Sequence, residues 1–416
     1  MINHYIRSRK KSHDMKHRFV HIIFFLCMAV SGMNAACRPS FTVPFEMVGS
    51  YVVVSVRVND SNPLKLILDS GVRSTIITEL LSGDSITLNY SSTRELMGLG
   101  SRSSLQAYVS DSNVLSMGRK MKMTNRTIYV LQEDIFNLSK QTGSKINGLL
   151  GADFFQDYIV QIDYTGRRIR FYEKDNFCVP KGYGVMPMTI ERQKMYIHLS
   201  VLETESSRRR IKMLIDTGAE LGAWFQTLTN NAVNIPEKSV RGRIGEGLSG
   251  EISGYYARVP QICIANFCVR NPIVAFPDSA TIASIVRNSD RDGTIGSQLL
   301  SRFNLIIDTF NEKFYFKPNN TFTRPFAYNV AGIEIAQSAS LIPQVEVVNV
   351  WEGSPAAKAG VKPGDVITEI NYNRIYGLTL TQIRAFFETP SRHPLPIQLQ
   401  RHSQVIDLKI EMKSKI

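Results

Sequence analysis

Ile211-Lys212-Met213-Leu214-Ile215-Asp216-Thr217-Gly218-Ala219-Glu220-Leu221 decides how the rest of the chain is read. Met213-Leu214-Ile215 has the character of a buried strand, and it ends abruptly in an acid, a hydroxyl and a glycine. A carboxylate placed there is costly to bury unless it is hydrogen-bonded or partly wet. Gly218 permits a turn that other residues resist. The Thr217 hydroxyl is expected to orient the acid. The same statement occurs a second time as Leu66-Ile67-Leu68-Asp69-Ser70-Gly71-Val72. Two acids, each on an apolar strand and each followed by a small hydroxyl residue and glycine, point to one shared site.

Working outward, both acids sit in the same context. Before Asp69 come the strand-forming run Tyr51-Val52-Val53-Val54-Ser55-Val56-Arg57-Val58 and the turn cluster Asn59-Asp60-Ser61-Asn62-Pro63. Before Asp216 come Met195-Tyr196-Ile197-His198-Leu199-Ser200-Val201 and a charged turn at 203–210. After each acid comes a hairpin with a glycine-bearing tip, at 95–109 and at 243–259. Then follows Gly-x-apolar-Gly, as Gly148-Leu149-Leu150-Gly151 and as Gly293-Thr294-Ile295-Gly296. A closing hairpin with Ile-Asp in its first strand ends each half, at Ile162-Asp163 and Ile307-Asp308. From Asp69 to Gly151 is 82 residues, and from Asp216 to Gly296 is 80. Self-similarity of this kind signals an internal duplication.

These residues resemble the aspartic peptidases of the pepsin and retropepsin clan. Asp216-Thr217-Gly218-Ala219 matches the clan's signature throughout; Asp69-Ser70-Gly71 matches through the glycine and then departs at Val72. Glu220 stands where retroviral relatives carry an acid. The resemblance covers about residues 40–318. It implies a mainly β fold with two retropepsin-like β-barrel lobes in a pepsin-like bilobal arrangement, at 37–185 and 186–320. It also implies a catalytic pair, Asp69 and Asp216, supported by Ser70, Gly71, Thr217 and Gly218. In the clan the Gly-x-apolar-Gly segment packs beside the catalytic turn, and the hairpins act as flaps over substrate.

The C-terminal part, 325–416, has a different character. Gly353-Ser354-Pro355-Ala356-Ala357-Lys358-Ala359-Gly360 and Lys362-Pro363-Gly364-Asp365 together resemble a PDZ domain of the bacterial, permuted type. A helix at 382–389 would line its groove. Gly332-Ile333-Glu334-Ile335 would be the strand edge at which an extended peptide adds. Packing on the catalytic lobes is the other role open to the module.

Net charge is +13, from 49 basic and 36 acidic residues. Residues 1–36 hold six of the basic residues and one acid, so the remainder carries +8. There is no basic tract interleaved with aromatics, which argues against nucleic acid as a partner. Residues 1–36 read as a signal peptide: a basic lead, the apolar run 19–30 and a small-residue end. Export to a periplasm or cell envelope follows. Lipidation at Cys37 is a second reading and would be the only tie to a membrane, although Asn34 is unusual for that motif. Of five cysteines, Cys263 and Cys268 would face each other across a hairpin if Ala265-Asn266 is its turn; two buried thiols are the alternative. Cys178 has no evident partner other than Cys37.

Two carboxylates in one site activate water without a metal or other cofactor, and no cysteine pair has zinc-finger spacing with histidines. The histidines after residue 36 are His198, His393 and His402, too scattered for a triad or a metal cluster. Asp153, Asp163 and Asp308 are further acids whose places in the closing segments suit structural roles. The expectation is an exported aspartic endopeptidase acting on protein or peptide. The alternative is a peptide-binding protein that uses the cleft and the PDZ groove without cleavage.

Overall fold

The computed structural model describes residues 38–416 apart from 82, 97–104, 205–206, 248–249, 283–288 and 339–342. Residues 1–36, expected from sequence to be a signal peptide and including Cys27, lie outside the described residues, as do Cys37 and the glycine- and serine-rich tip at 97–104.

Leu64–Leu68, Leu-Lys-Leu-Ile-Leu, is buried at four of its five positions because its two faces enter two apolar clusters, one with Leu64, Leu66 and Leu68 and the other with Ile67. It pairs antiparallel with Tyr51–Val58 and parallel with Gly148–Leu150. Gly148–Leu150 pairs in turn with Thr75–Ile77, which runs parallel to Met121–Leu131. Met121–Leu131 pairs with Leu105–Met117, whose far end returns to Tyr51–Val58 through Arg57 opposite Ser116 and Val58 opposite Leu115. That last pairing closes a barrel and removes its open edges.

The second lobe repeats the order. Lys194–Leu202 pairs antiparallel with Arg208–Ile215, which runs parallel to Gly293–Ile295. Gly293–Ile295 pairs with Ala223–Phe225, and that strand runs parallel to Ile273–Pro277. Ile273–Pro277 pairs with Gly250–Arg258, and Gly250–Arg258 with Ser239–Gly247 at the outer edge. The parallel pairings fall at equivalent places in the two lobes, as a duplication requires.

The two closing hairpins join the lobes. Ile159–Asp163 pairs with Phe303–Asp308 through Val160 opposite Ile307, Gln161 opposite Ile306 and Ile162 opposite Leu305. Gly184–Glu191 crosses the expected boundary at 185/186, pairing with Lys313–Pro318 at its start and Lys194–Leu202 at its end. Phe154, Phe155, Phe171, Phe303, Phe314 and Phe316 are fully buried around this sheet. Two of the acids nearby, Asp163 and Asp308, do structural work. Asp163 pairs with Arg170 at 2.9 Å and accepts from the Gly166 N–H. Asp308 accepts from the Asn311 N–H at 3.0 Å. Asp153 is buried in a short 3-10 turn at 152–155.

Residues from Ile333 onward form a separate sheet in the order Ile333–Gln337, Val345–Val350, Val366–Ile370, Leu395–Arg401, Gln404–Ile410. The helix Pro355–Ala359 starts at Ser354, whose hydroxyl accepts from the Ala357 N–H, and stops at Gly360 with φ 91°. The groove helix runs Leu380–Glu388, starting two residues and ending one residue earlier than its sequence expectation. Thr379 and Gln382 form a reciprocal capping box that fixes its start. Cys263 and Cys268 stand opposite each other across a hairpin and are disulfide-bonded, with Ala265 at φ 52° in the turn. Cys178 also lies in a disulfide.

Candidate active site

Each acid follows its strand by one residue. The Asp69 N–H donates to Leu150 C=O at 2.9 Å, and the Asp216 N–H donates to Ile295 C=O at 3.0 Å. Each Gly-x-apolar-Gly segment therefore frames its acid, as the clan resemblance implied. The approach is close: a Cβ on Gly151 would stand 2.7 Å from Arg73 C=O, and one on Gly296 only 2.1 Å from Leu221 C=O.

The turns hold the carboxylates from below. Asp69 Oδ1 accepts from the N–H of Gly71 at 2.8 Å and of Val72 at 3.3 Å. Asp216 Oδ1 accepts from the N–H groups of Gly218 and Ala219, both at 3.0 Å. Val72 is thus accommodated in the turn, with a longer bond than its counterpart Ala219. The free face of each carboxylate looks at the other loop. A Cβ on Gly218 would stand 2.2 Å from Asp69 Cγ, and one on Gly71 would stand 2.4 Å from Asp216 Oδ2. The structure brings Asp69 and Asp216 together with all four supporting residues.

Ser70 and Thr217 act differently from their sequence expectation. Their hydroxyls reach across the lobe interface instead of orienting their own acids. Thr217 Oγ1 donates to Leu68 C=O at 2.6 Å and accepts from the Ser70 N–H at 3.1 Å. Ser70 Oγ donates to Ile215 C=O at 2.8 Å and accepts from the Thr217 N–H at 3.1 Å. The physical reason lies in the turn: backbone N–H groups already satisfy each carboxylate's inner oxygen. The hydroxyls are left to cap the opposite strand's last carbonyl.

Burial pushes the Asp69 carboxyl up, and the charge of Asp216 pushes it further. Burial also raises Asp216, but Arg291 and Lys194 pull it back. The pair therefore holds one proton above the ordinary carboxylate range, with the charge favoured on Asp216. Neither cation was found from sequence. Arg291 is 3% exposed and sits over the Trp224 ring at 5.1 Å. The available signal was its position two residues before Gly293 in the framing segment. His198 lies partly buried on Lys194–Leu202 and takes no part in the dyad.

The dyad opens into a cavity of about 1480 Å³. Both lobes line it, and so do Glu334, Arg384 and Glu388 from the C-terminal domain. Of the candidate peptide-edge residues, Gly332 and Ile333 turn towards Asn329. Its Oδ1 accepts from both their N–H groups, and its Nδ2 donates to Ile333 C=O. Ile335 C=O accepts from Arg384 at 3.2 Å. Glu334 points to the second-lobe hairpin.

Residues 54–154 match the sequence profile of the Aspartyl protease family, and residues 346–401 match that of the PDZ domain. A 68-residue stretch is 31% identical to the "Probable CtpA-like serine protease" of two strains of Staphylococcus epidermidis, covering 16% of this chain. The match spans only 14% of the length of those relatives. Among solved structures, the aspartic proteinase from Irpex lacteus aligns with 68% of this chain and 98% of its own, at 14% identity and a TM-score of 0.42. The chain carries an aspartyl protease domain of the retropepsin-like kind joined to a PDZ domain.

Proposed function

We propose that this chain is an exported aspartic endopeptidase that hydrolyses peptide bonds with water activated between Asp69 and Asp216. The observation that carries the reading is the pair of carboxylates held face to face, each on its own turn, with Ser70 and Thr217 locking the turns together. The ionised acid takes a proton from the water, whose oxygen attacks the peptide carbonyl carbon. The protonated acid donates to the carbonyl oxygen. The C–N bond then breaks, and a proton passes to the leaving nitrogen. Arg291 and Lys194 favour Asp216 as the ionised member. Export is supported by the signal-like N-terminus and by the Cys263–Cys268 disulfide, which suits an oxidising compartment.

The test is cleavage of a mixed peptide library by mature protein from acid to neutral pH, beside Asp69→Asn and Asp216→Asn with folding checked by circular dichroism. Cleavage by wild type that is lost in both variants supports the reading. Folded wild-type protein that binds peptides and cleaves none at any pH would replace it with the peptide-binding alternative.

A further inference from the structure

The PDZ domain touches both lobes, and on the second it meets the glycine-rich hairpin. Arg243 lies on Ser239–Gly247, where the pairing with Gly250–Arg258 shifts register. Its guanidinium meets Glu334 at 3.0 Å, Glu246 at 2.7 Å and Glu251 at 3.6 Å. The second oxygen of Glu334 accepts from Trp351 Nε1 at 2.7 Å and from Asn349 Nδ2 at 3.3 Å. Trp351 stacks on Tyr256, with ring centroids 5.5 Å apart and planes at 13°. Tyr256 Oη donates back to Arg243 C=O at 2.6 Å. Gly242 lies flat on the Trp351 ring, where a Cβ would come within 2.6 Å.

This hairpin needs support. Ser239–Gly247 is the outermost strand of its sheet, and among the described residues its ladder partner is Gly250–Arg258 alone. A glycine-rich edge strand held on one side only is weakly fixed. The domain that grips it is itself anchored on the opposite lobe. Arg384 donates both to Gln141 C=O, in the first-lobe helix Leu138–Thr142, and to Ile335 C=O. Gly143, just after that helix, packs against Gln337 and Leu380. The strand bearing Glu334 is fixed as well, since Asn329 occupies the outward N–H and C=O of Ile333, and Arg384 the C=O of Ile335. These outward groups are the ones a strand-adding peptide would use.

We propose that Glu334 is a positioning residue of the protease site, which holds the second-lobe hairpin through Arg243 along the cavity of Asp69 and Asp216. The PDZ domain then works as a brace from the first lobe to the flap of the second. This rests on the proteolytic reading for its effect on turnover, while the brace has a readout of its own.

The experiment is hydrogen–deuterium exchange on the full chain, with cleavage kinetics alongside, for wild type, Glu334→Gln, Glu334→Asp and Gly242→Ala. Glu334→Gln keeps the shape and loses the charge; Gly242→Ala presses a methyl into the Trp351 ring. The expected result is exchange about fivefold faster in 239–258 for Glu334→Gln and Gly242→Ala, with 64–68 and 208–215 unchanged. KM rises several-fold more than kcat falls, and Glu334→Asp recovers part of both. Unchanged exchange in 239–258 in both variants overturns the proposal, as does an equal rise throughout the chain. Faster exchange with wild-type KM and kcat also overturns it, because the hairpin would then be braced without bearing on substrate. A wild type that cleaves nothing but binds peptide sinks the proteolytic reading alone; loosened exchange and weaker peptide binding in the variants still support the brace.

Discussion

Ser70 and Thr217 exchange equivalent pairs of hydrogen bonds across the lobe interface. Each hydroxyl donates to the last carbonyl of the other lobe's strand and accepts the other residue's N–H. All four groups belong to buried residues, so the lock sits where an unmade hydrogen bond is most costly. It fixes the separation of the two acids without touching either carboxylate.

Thr217→Val therefore leaves Leu68 C=O and the Ser70 N–H without their partner. The expected cost is about 1–3 kcal/mol of stability. Cleavage falls at least about tenfold, because the acids lose their register. Urea unfolding and kcat on one peptide check both; unchanged stability would show that water replaces the hydroxyl.

Asp69→Asn is expected to abolish the proposed cleavage yet to stabilise the fold at neutral pH. Burial, then the charge of Asp216, raises the Asp69 carboxyl above its ordinary value. A raised folded-state affinity for protons means that the stabilising contribution is present at acid pH and is lost as pH climbs through the folded value. The variant's advantage over wild type is thus smallest near pH 4 and grows to at least about 1 kcal/mol by neutrality. Thermal melts across that range measure it, and a constant difference would contradict it.

Gly218→Ala places a methyl against the Asp69 carboxylate, where a Cβ would stand 2.2 Å from Cγ. The carboxylate must move away from Asp216. Activity is expected to fall at least about a hundredfold while the fold survives, as a misplacement of about 1 Å can produce. Circular dichroism beside kcat separates this from unfolding.

Arg291→Gln removes the foremost influence opposing the rise of Asp216. Its proton affinity increases, so the ionised form arrives at higher pH. The acid limb of the kcat profile shifts to higher pH. A limb that stays in place would assign the ionised role to the other aspartate.

Within the PDZ domain, Asp365 is 1% exposed and accepts from Arg401 at 2.6 and 2.8 Å. Burial acts upward on this acid, but Arg401 and the Lys362 N–H hold it below the ordinary value. A lowered folded-state value gives stability that is present above the unfolded value and lost as pH falls through the folded one. Asp365→Asn flattens that acid loss and weakens the domain at neutral pH. Tryptophan fluorescence, which includes Trp351, follows the domain through an acid titration.

Much of this was legible in the sequence because duplication writes itself twice. The two Asp-hydroxyl-Gly turns and the two Gly-x-apolar-Gly segments carry their pairing in their order and spacing. The PDZ fold was legible through Ser354-Pro355 and Pro363-Gly364-Asp365, whose caps and turns are local chemistry. What stayed hidden was long-range and polar. Arg243 is 91 residues from Glu334, and Arg384 is 243 from Gln141; a surface arginine carries no address for its acid. Arg291 was hidden for the same reason. The roles of Ser70 and Thr217 were misread because a hydroxyl beside an acid suggests a local bond, and only the facing lobe reveals the better acceptor.

The brace has a consequence for how a peptide lies in the cleft. Two identical lobes would make a two-fold groove that receives an extended chain equally well running either way. Here the PDZ domain grips the hairpin of the second lobe and a helix of the first. The two lobes are thus tied to the domain by different contacts, an ion pair with a hairpin on one side and a hydrogen bond to a helix on the other. A groove whose two walls are held unequally is no longer two-fold, so a polypeptide lying in it would meet different neighbours when its direction is reversed.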